Sequence, residues 1–203
     1  MDVIVLSATA APVEIISKAA GTCYGKGDTI SKRRVETCFT SGHLSVYEHA
    51  TATLRVDGIS RACMAQLTRH RLVSFCVESQ RYCRYNFKGN DWYVMPDAFR
   101  DGGTLEKCFS QSMLYSACEY QSAIESGMKP EDARYLLPEA TKTNLVMTLN
   151  ARELFHILDM RWDKAAQWEI RQLAECLALA LQCESRDWEW IIDLWKSHHE
   201  NKG

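Results

Sequence analysis

Between Arg61 and Arg84 the chain carries five arginines and a single acid, Glu78. The stretch Gln66-Leu-Thr-Arg-His-Arg-Leu-Val-Ser-Phe-Cys-Val-Glu-Ser-Gln-Arg-Tyr82 sets Arg69, His70, Arg71 and Arg81 among Gln66, Ser74, Ser79 and Gln80. Guanidinium forks bind phosphates and carboxylates in a planar, bidentate way. A chain with a net charge of −2 has no need of such a concentration for solubility. The cluster therefore reads as an anion site, most simply for a nucleotide phosphate. The plainer alternative is a solvated ion-pair face.

Three other stretches carry candidate groups. Asn150 is a good N-cap, and Glu153 three residues on completes a capping-box pattern. Arg152 and His156, four apart, fall on one helical face, with Arg161 beyond them. Lys129-Pro-Glu-Asp-Ala-Arg-Tyr-Leu-Leu-Pro138 reads as a short helix started by Pro130 and stopped by Pro138. Its acids suit the positive helix end, but Arg134 does not follow from that. Ser41-Gly-His-Leu-Ser-Val-Tyr-Glu-His49 holds two histidines and a glutamate. The spacing of His43 and His49 does not fit one helical face, so no metal is expected. Glu48 and His49 read as a structural hydrogen-bonded pair.

The order of these residues resembles the flavin-dependent thymidylate synthases (the ThyX family). That family's pattern runs Arg-His-Arg-x-x-Ser-x-Asn-x-x-Ser-x-Arg-Tyr. Arg69, His70, Arg71, Ser74, Ser79, Arg81 and Tyr82 match it, while Cys76 stands at the Asn and Val77 at the following Glu or Gln. The resemblance extends to the His-x-Ser/Thr-x-x-Glu-His block at His43–His49, to Ala-Arg-x-x-Leu-Pro at Arg134, and to Asn-Ala-Arg-x-Leu at Asn150. It continues through Arg161 to Ala166-Gln-Trp-Glu-Ile-Arg171. The family often has Asn where this chain has His156.

What the resemblance implies is specific. The fold would be a mixed α+β single domain over 1–203, a twisted antiparallel sheet flanked by helices. The reaction would convert dUMP to dTMP, with methylenetetrahydrofolate as carbon donor, FAD as redox carrier and NADPH as reductant. The protein would be a homotetramer whose active sites are shared between subunits. Arg161 would polarise the uracil ring and is the catalytic candidate. Gln66, Arg69, Val77, Glu78, Ser79, Gln80, Arg81, Arg134 and Arg161 would hold dUMP. Ser45, from a neighbouring subunit, with Arg69, His70, Arg71, Val77, Asn150, Arg152 and His156, would hold FAD. His43 would line the site. No Gly-x-Gly-x-x-Gly follows a strand, so the flavin is not expected in a Rossmann crevice. A catalytic Cys76 is the mechanistic rival, because nearby cations favour a thiolate. A non-catalytic nucleotide- or RNA-binding protein is the alternative of a different class.

The elements that must position these groups follow from periodicity. Val3–Leu6 reads as a strand, and Ser7 or Thr9 as the cap of a helix from Pro12 to Ala20, with Gly21, Gly25 and Gly27 marking a loop. Ile30–Phe39 reads as a short helix. Ala50–Val56 alternates as a strand, Asp57-Gly58 as a turn, and Ser60 caps a helix leading to Arg69. Gly89-Asn90 reads as a turn and Trp92–Met95 as a strand. Thr104–Ser126 is one long helix with Leu105, Cys108, Met113 and Ala117 inward. Thr141–Leu149 is a strand, Ala165–Gln182 an apolar-striped helix, and Trp188–Trp195 a final helix packing core or interface.

Composition excludes several classes. At 203 residues, 46% hydrophobic and 25% charged, the chain fits one ordinary globular domain. No apolar run approaches the roughly 20 residues that span a bilayer, and Met-Asp-Val-Ile-Val-Leu is no secretory signal. The near-neutral charge argues against a general nucleic-acid binder. Nine cysteines occur without a Cys-x-x-Cys pair, and most read as reduced core thiols of a cytoplasmic protein, Cys176 and Cys183 sharing one buried stripe.

Overall fold

The structure, a computed structural model, describes residues 1–85, 87, 89 and 91–200. Asp2–Ala8 forms β1, Pro12–Thr22 α1 and Lys32–Thr40 α2. A 3-10 helix, Leu44–His49, leads into β2, Thr51–Ser60. Arg61–Leu67 forms α3, Ser74–Val77 β3 and Thr104–Glu125 α4. The short α5, Pro130–Ala133, is followed by β4, Lys142–Asn150. Three helices close the chain: α6, Ala151–Arg161, α7, Trp168–Glu184, and α8, Arg186–Glu200. The sheet is antiparallel and open, in the order β1-β2-β4-β3. The α+β class expected from the sequence is the one found.

The residues pack as two compact units. One comprises Met1–Val56, Leu67–Cys76 and Val146–Gly203, the other Asp57–Gln66 and Val77–Leu145. In the first, α1, α6, α7 and α8 bury Ile16, Leu154, Phe155, Leu158, Leu173, Leu177 and Trp188. Gln167 caps α7, its Oε1 accepting from the N–H groups of Glu169 and Ile170. In the second, Trp92, Tyr93, Met95, Met113 and Ala117 form a core beside Phe87, Phe99 and Phe109.

Several expectations change, each for a local reason. Neither Ser7 nor Thr9 caps α1; Ala11 stands at that position without a side-chain cap. Gly21 lies inside α1, where a Cβ would meet an Arg34 Nη1 and the Lys26 carbonyl at 2.5 Å. The return loop needs that gap. Asp57-Gly58 is not a turn but part of β2: Gly58 takes φ +76°, and its N–H is captured by Asn144 Oδ1 at 3.0 Å. Trp92–Met95 makes only an isolated bridge, Tyr93 to Thr141. Asn90, half of the expected turn, lies outside the described residues. Met113 and Ala117 of α4 are buried as expected, but Leu105 and Cys108 are exposed and Tyr120 is buried instead.

Most of the cysteines are not the core thiols expected. Cys63 is buried; Cys23, Cys76, Cys83, Cys108, Cys118 and Cys183 are exposed. Cys183 lies at the exposed C-terminal end of α7, so it shares no buried stripe with the half-buried Cys176.

Candidate active site

The first unit holds the Arg-His-Arg segment and α6. Asn150 starts that helix, its Oδ1 accepting the Glu153 N–H at 2.9 Å. The inward side of α6 is anchored by Leu154, Phe155, Ile157 and Leu158. Its opposite side then presents Arg152, His156 and Asp159 at helical spacing. These three, with Glu153, Phe155, Arg69, Arg71, Leu72 and Leu44, line a cleft of about 480 Å³. Arg152 is braced by an ion pair to Glu48. Glu48 therefore pairs with Arg152 and not, as expected, with His49. Three guanidinium groups and an imidazole, outnumbering the carboxyls of Asp159 and Glu153, make the cleft an anion receptor, with apolar contacts supplied by the two leucines.

Behind the cleft lies a buried polar row. His70 is 3% exposed, and its Nε2 accepts the Arg161 Nε–H at 3.1 Å. Its Nδ1 lies 3.6 Å from Glu153 Oε1, and its ring meets that of His156 edge-on at 5.4 Å. Burial first, then the positive charge of Arg161 and of His156, pushes the His70 pKa down to about 4. His70 is thus neutral at neutral pH, and its approach to Glu153 is no ion pair. Burial pushes the Glu153 carboxyl up.

His70, Glu153 and His156 place possible ligand atoms within 4.8 Å of one another. The hydrogen bond from Arg161 argues against a metal there. An arginine does not lose its proton, so His70 Nε2 must carry the lone pair and Nδ1 the hydrogen. Neither ring nitrogen then has a lone pair left to coordinate an ion.

The second unit holds the other half of the expected set. Arg61, Met64, Ala65, Gln80, Arg134, Tyr135, Leu137, Pro138 and Glu139 border a second cleft of about 320 Å³. Arg61 donates to the Glu78 carbonyl at 2.8 Å and to the Tyr85 hydroxyl at 3.3 Å, and Gln80 donates to the same hydroxyl at 3.2 Å. Arg134 Nε caps the Glu131 carbonyl at 3.0 Å, and Arg81 pairs with the Glu131 carboxylate at 3.1 Å. Glu78 is taken up by Asn144, whose amide donates to it at 2.8 Å. Ser79 opens a turn, its Oγ accepting the Arg81 N–H at 3.3 Å. Val77 ends β3 half-buried, and Gln66 is half-buried in α3.

The expected FAD set, Val77 apart, therefore falls in the first unit, and the expected dUMP set, Arg69 and Arg161 apart, in the second. Within the first, Arg69, Arg71, Arg152 and His156 share the cleft. Asn150 is spent on its cap, while Ser45 and His43 are exposed next to Leu44, the residue that lines it. Leu44, Leu72, Asp159, Arg61, Tyr85 and Tyr135 were not singled out by sequence. Of these, Asp159 was accessible, three residues past His156 on the same helical face.

Comparison with known proteins gives one answer. Residues 4–183 match the family model described as thymidylate synthase complementing protein. A flavin-dependent thymidylate synthase of Haloarcula marismortui is 36% identical, covering 86% of this chain and 88% of its own length. One of Geobacter sulfurreducens is 35% identical, covering 86% and 79%. Two Helicobacter pylori ThyX crystal structures with FAD and dUMP superpose with TM-scores of 0.75 and 0.78. They are 27% and 26% identical, covering 89% and 95% of this chain and 94% and 99% of theirs. With a match over residues 4–183 and relatives alike over most of their length, the chain belongs to the thymidylate synthase complementing family, that of the flavin-dependent thymidylate synthases.

Proposed function

We propose that the chain is a flavin-dependent thymidylate synthase that methylates dUMP to dTMP. The observation that carries this reading is the cleft in which Arg69, Arg71, Arg152 and His156 converge. Its donors fit the pyrophosphate of FAD, and Leu44 and Leu72 supply apolar surface for a ring system. When bound, FAD supplies the hydride chemistry, with NADPH as reductant and methylenetetrahydrofolate as carbon donor.

The chain's own residues do the rest. Arg161 polarises the uracil: a guanidinium held against the N3/O4 edge stabilises negative charge there, a preorganised electrostatic effect. Its Nε–H is already committed to His70, so the orientation of the guanidinium plane is set before substrate arrives. Ser79, Arg81 and Arg134, with Arg69, hold the dUMP phosphate. Gln66, Val77, Glu78 and Gln80 complete the nucleotide contacts, and Val77 and Ser45 those of the flavin, which His70 and Asn150 support from behind through Arg161 and the start of α6. The assembly is a cytoplasmic homotetramer in which Ser45 reaches a neighbouring subunit's flavin.

The test is the visible spectrum of the purified protein before and after anaerobic NADPH with dUMP. A flavin band that bleaches faster with dUMP, with dTMP formed once methylenetetrahydrofolate is added, is expected. A protein that stays colourless after incubation with FAD, and binds nucleic acid in a salt-sensitive way, would replace the reading with a binding module.

A further inference from the structure

Glu153 is 4% exposed, on the third residue of a helix that Asn150 already caps. At that position a glutamate ordinarily turns back to the N–H of the cap residue. Here the carboxylate instead faces His70 Nδ1 at 3.6 Å. That nitrogen is buried and has no hydrogen-bond partner among the described residues. On the far side of the same ring, Nε2 accepts from Arg161. A neutral imidazole has one hydrogen, so the two sides are linked: Nε2 can accept only while Nδ1 holds it. With the hydrogen moved to Nε2, that N–H would point at the Arg161 Nε–H, donor against donor.

We propose that Glu153 is a positioning residue, whose carboxylate keeps His70 in the Nδ1–H tautomer and thereby fixes the guanidinium of Arg161. The row is Glu153 carboxylate, His70 ring, Arg161 fork. A buried carboxylate is costly without a partner, and a buried Nδ1–H without an acceptor is costly too. Each answers the other's need across 3.6 Å. The consequence for turnover rests on the thymidylate synthase reading; the tautomer does not.

Two measurements test it. Long-range proton–nitrogen NMR on selectively ¹⁵N-histidine-labelled protein reads the tautomer, His70 signals being assigned by their loss in His70→Asn. Steady-state dTMP formation reads kcat and the KM for dUMP. Wild type is expected as Nδ1–H. Glu153→Gln, whose amide oxygen still accepts, keeps that tautomer; Glu153→Leu shifts it toward Nε2–H. The leucine variant loses about 10- to 100-fold in kcat, the size of loss seen when the partner that orients a metal-bound histidine is removed. Its KM for dUMP moves far less, and the glutamine variant recovers about 10-fold of the loss. Glu153→Met is read the same way if the leucine variant fails to fold. An Nε2–H tautomer in wild type overturns the proposal without any variant. So does a leucine or methionine variant that keeps Nδ1–H and turns over like wild type. If wild type makes no dTMP, the enzyme reading falls and the tautomer alone decides the role of Glu153.

Discussion

Arg161 donates its Nε–H to a ring that stays uncharged at neutral pH, so this contact holds the guanidinium through a dipole and not through an ion pair. Arg161→Ala is expected to lower kcat for dTMP formation by about 10²- to 10³-fold, the usual loss on removing one preorganised donor, with flavin absorbance retained. Cys76 is exposed on β3, and Cys76→Ser is expected to keep most activity. A dead Cys76→Ser that still binds flavin would restore the thiol mechanism. The buried ring also has a stability consequence. Its folded pKa, about 4, lies below the ordinary histidine value of 6.5, so the unfolded chain binds the proton more readily. Stability is unaffected above pH 6.5 and falls as pH drops from there toward 4, by up to about 3 kcal/mol. Glu153, raised by burial, works the other way once it protonates and offsets part of the loss. Urea midpoints at pH 7 and pH 5 should separate in wild type and converge in His70→Gln. An undiminished separation would mean that another group carries the acid sensitivity.

At the scale of elements, α6 depends on its first turn. Asn150→Ala is expected to cost about 1 kcal/mol, read as a lower urea midpoint, and to loosen Arg152 and His156 together. The kink in β2 is as specific. Gly58→Ala forces a side chain into the left-handed region, at about 1–2 kcal/mol. This scale also shows what the sequence could and could not tell. Asn150, Ser60 and Pro130 announced helix starts because a cap or a proline acts through its own backbone neighbours; Ser60 Oγ does accept the Cys63 N–H at 3.0 Å. The Arg152–His156 face was legible because helical spacing alone decides it. Asp57-Gly58 misled because its turn chemistry is local, whereas Asn144, far along the chain, supplies the partner that keeps it in the sheet. Glu153 misled for the same reason: a capping-box pattern cannot reveal that a buried histidine 83 residues earlier is waiting for the carboxylate.

For the molecule as a whole, β1 and α4 each carry more than one large apolar side chain in water. Ile4 and Leu6 of β1 are about half exposed, and Leu114 and Tyr115 of α4 more so. Such surface suits subunit contacts, and light scattering is expected to give four times the mass of the chain. A Leu114→Glu variant that remains tetrameric would move the interface off α4. The cysteines were misjudged at this scale because a thiol's burial follows from the packing of distant elements, and composition carries no record of it.

The one sealed thiol, Cys63 of α3, gives the molecule a clock. A thiol reagent in excess consumes the six exposed cysteines first and the half-buried Cys38 and Cys176 after them, but reaches Cys63 only when α3 opens. The slowest phase of modification, the one that Cys63→Ala removes, therefore times that opening in the native protein without denaturant. If nucleotide and flavin bind as proposed, adding them should slow the clock, because a ligand that favours the closed form lowers the fraction of time spent open.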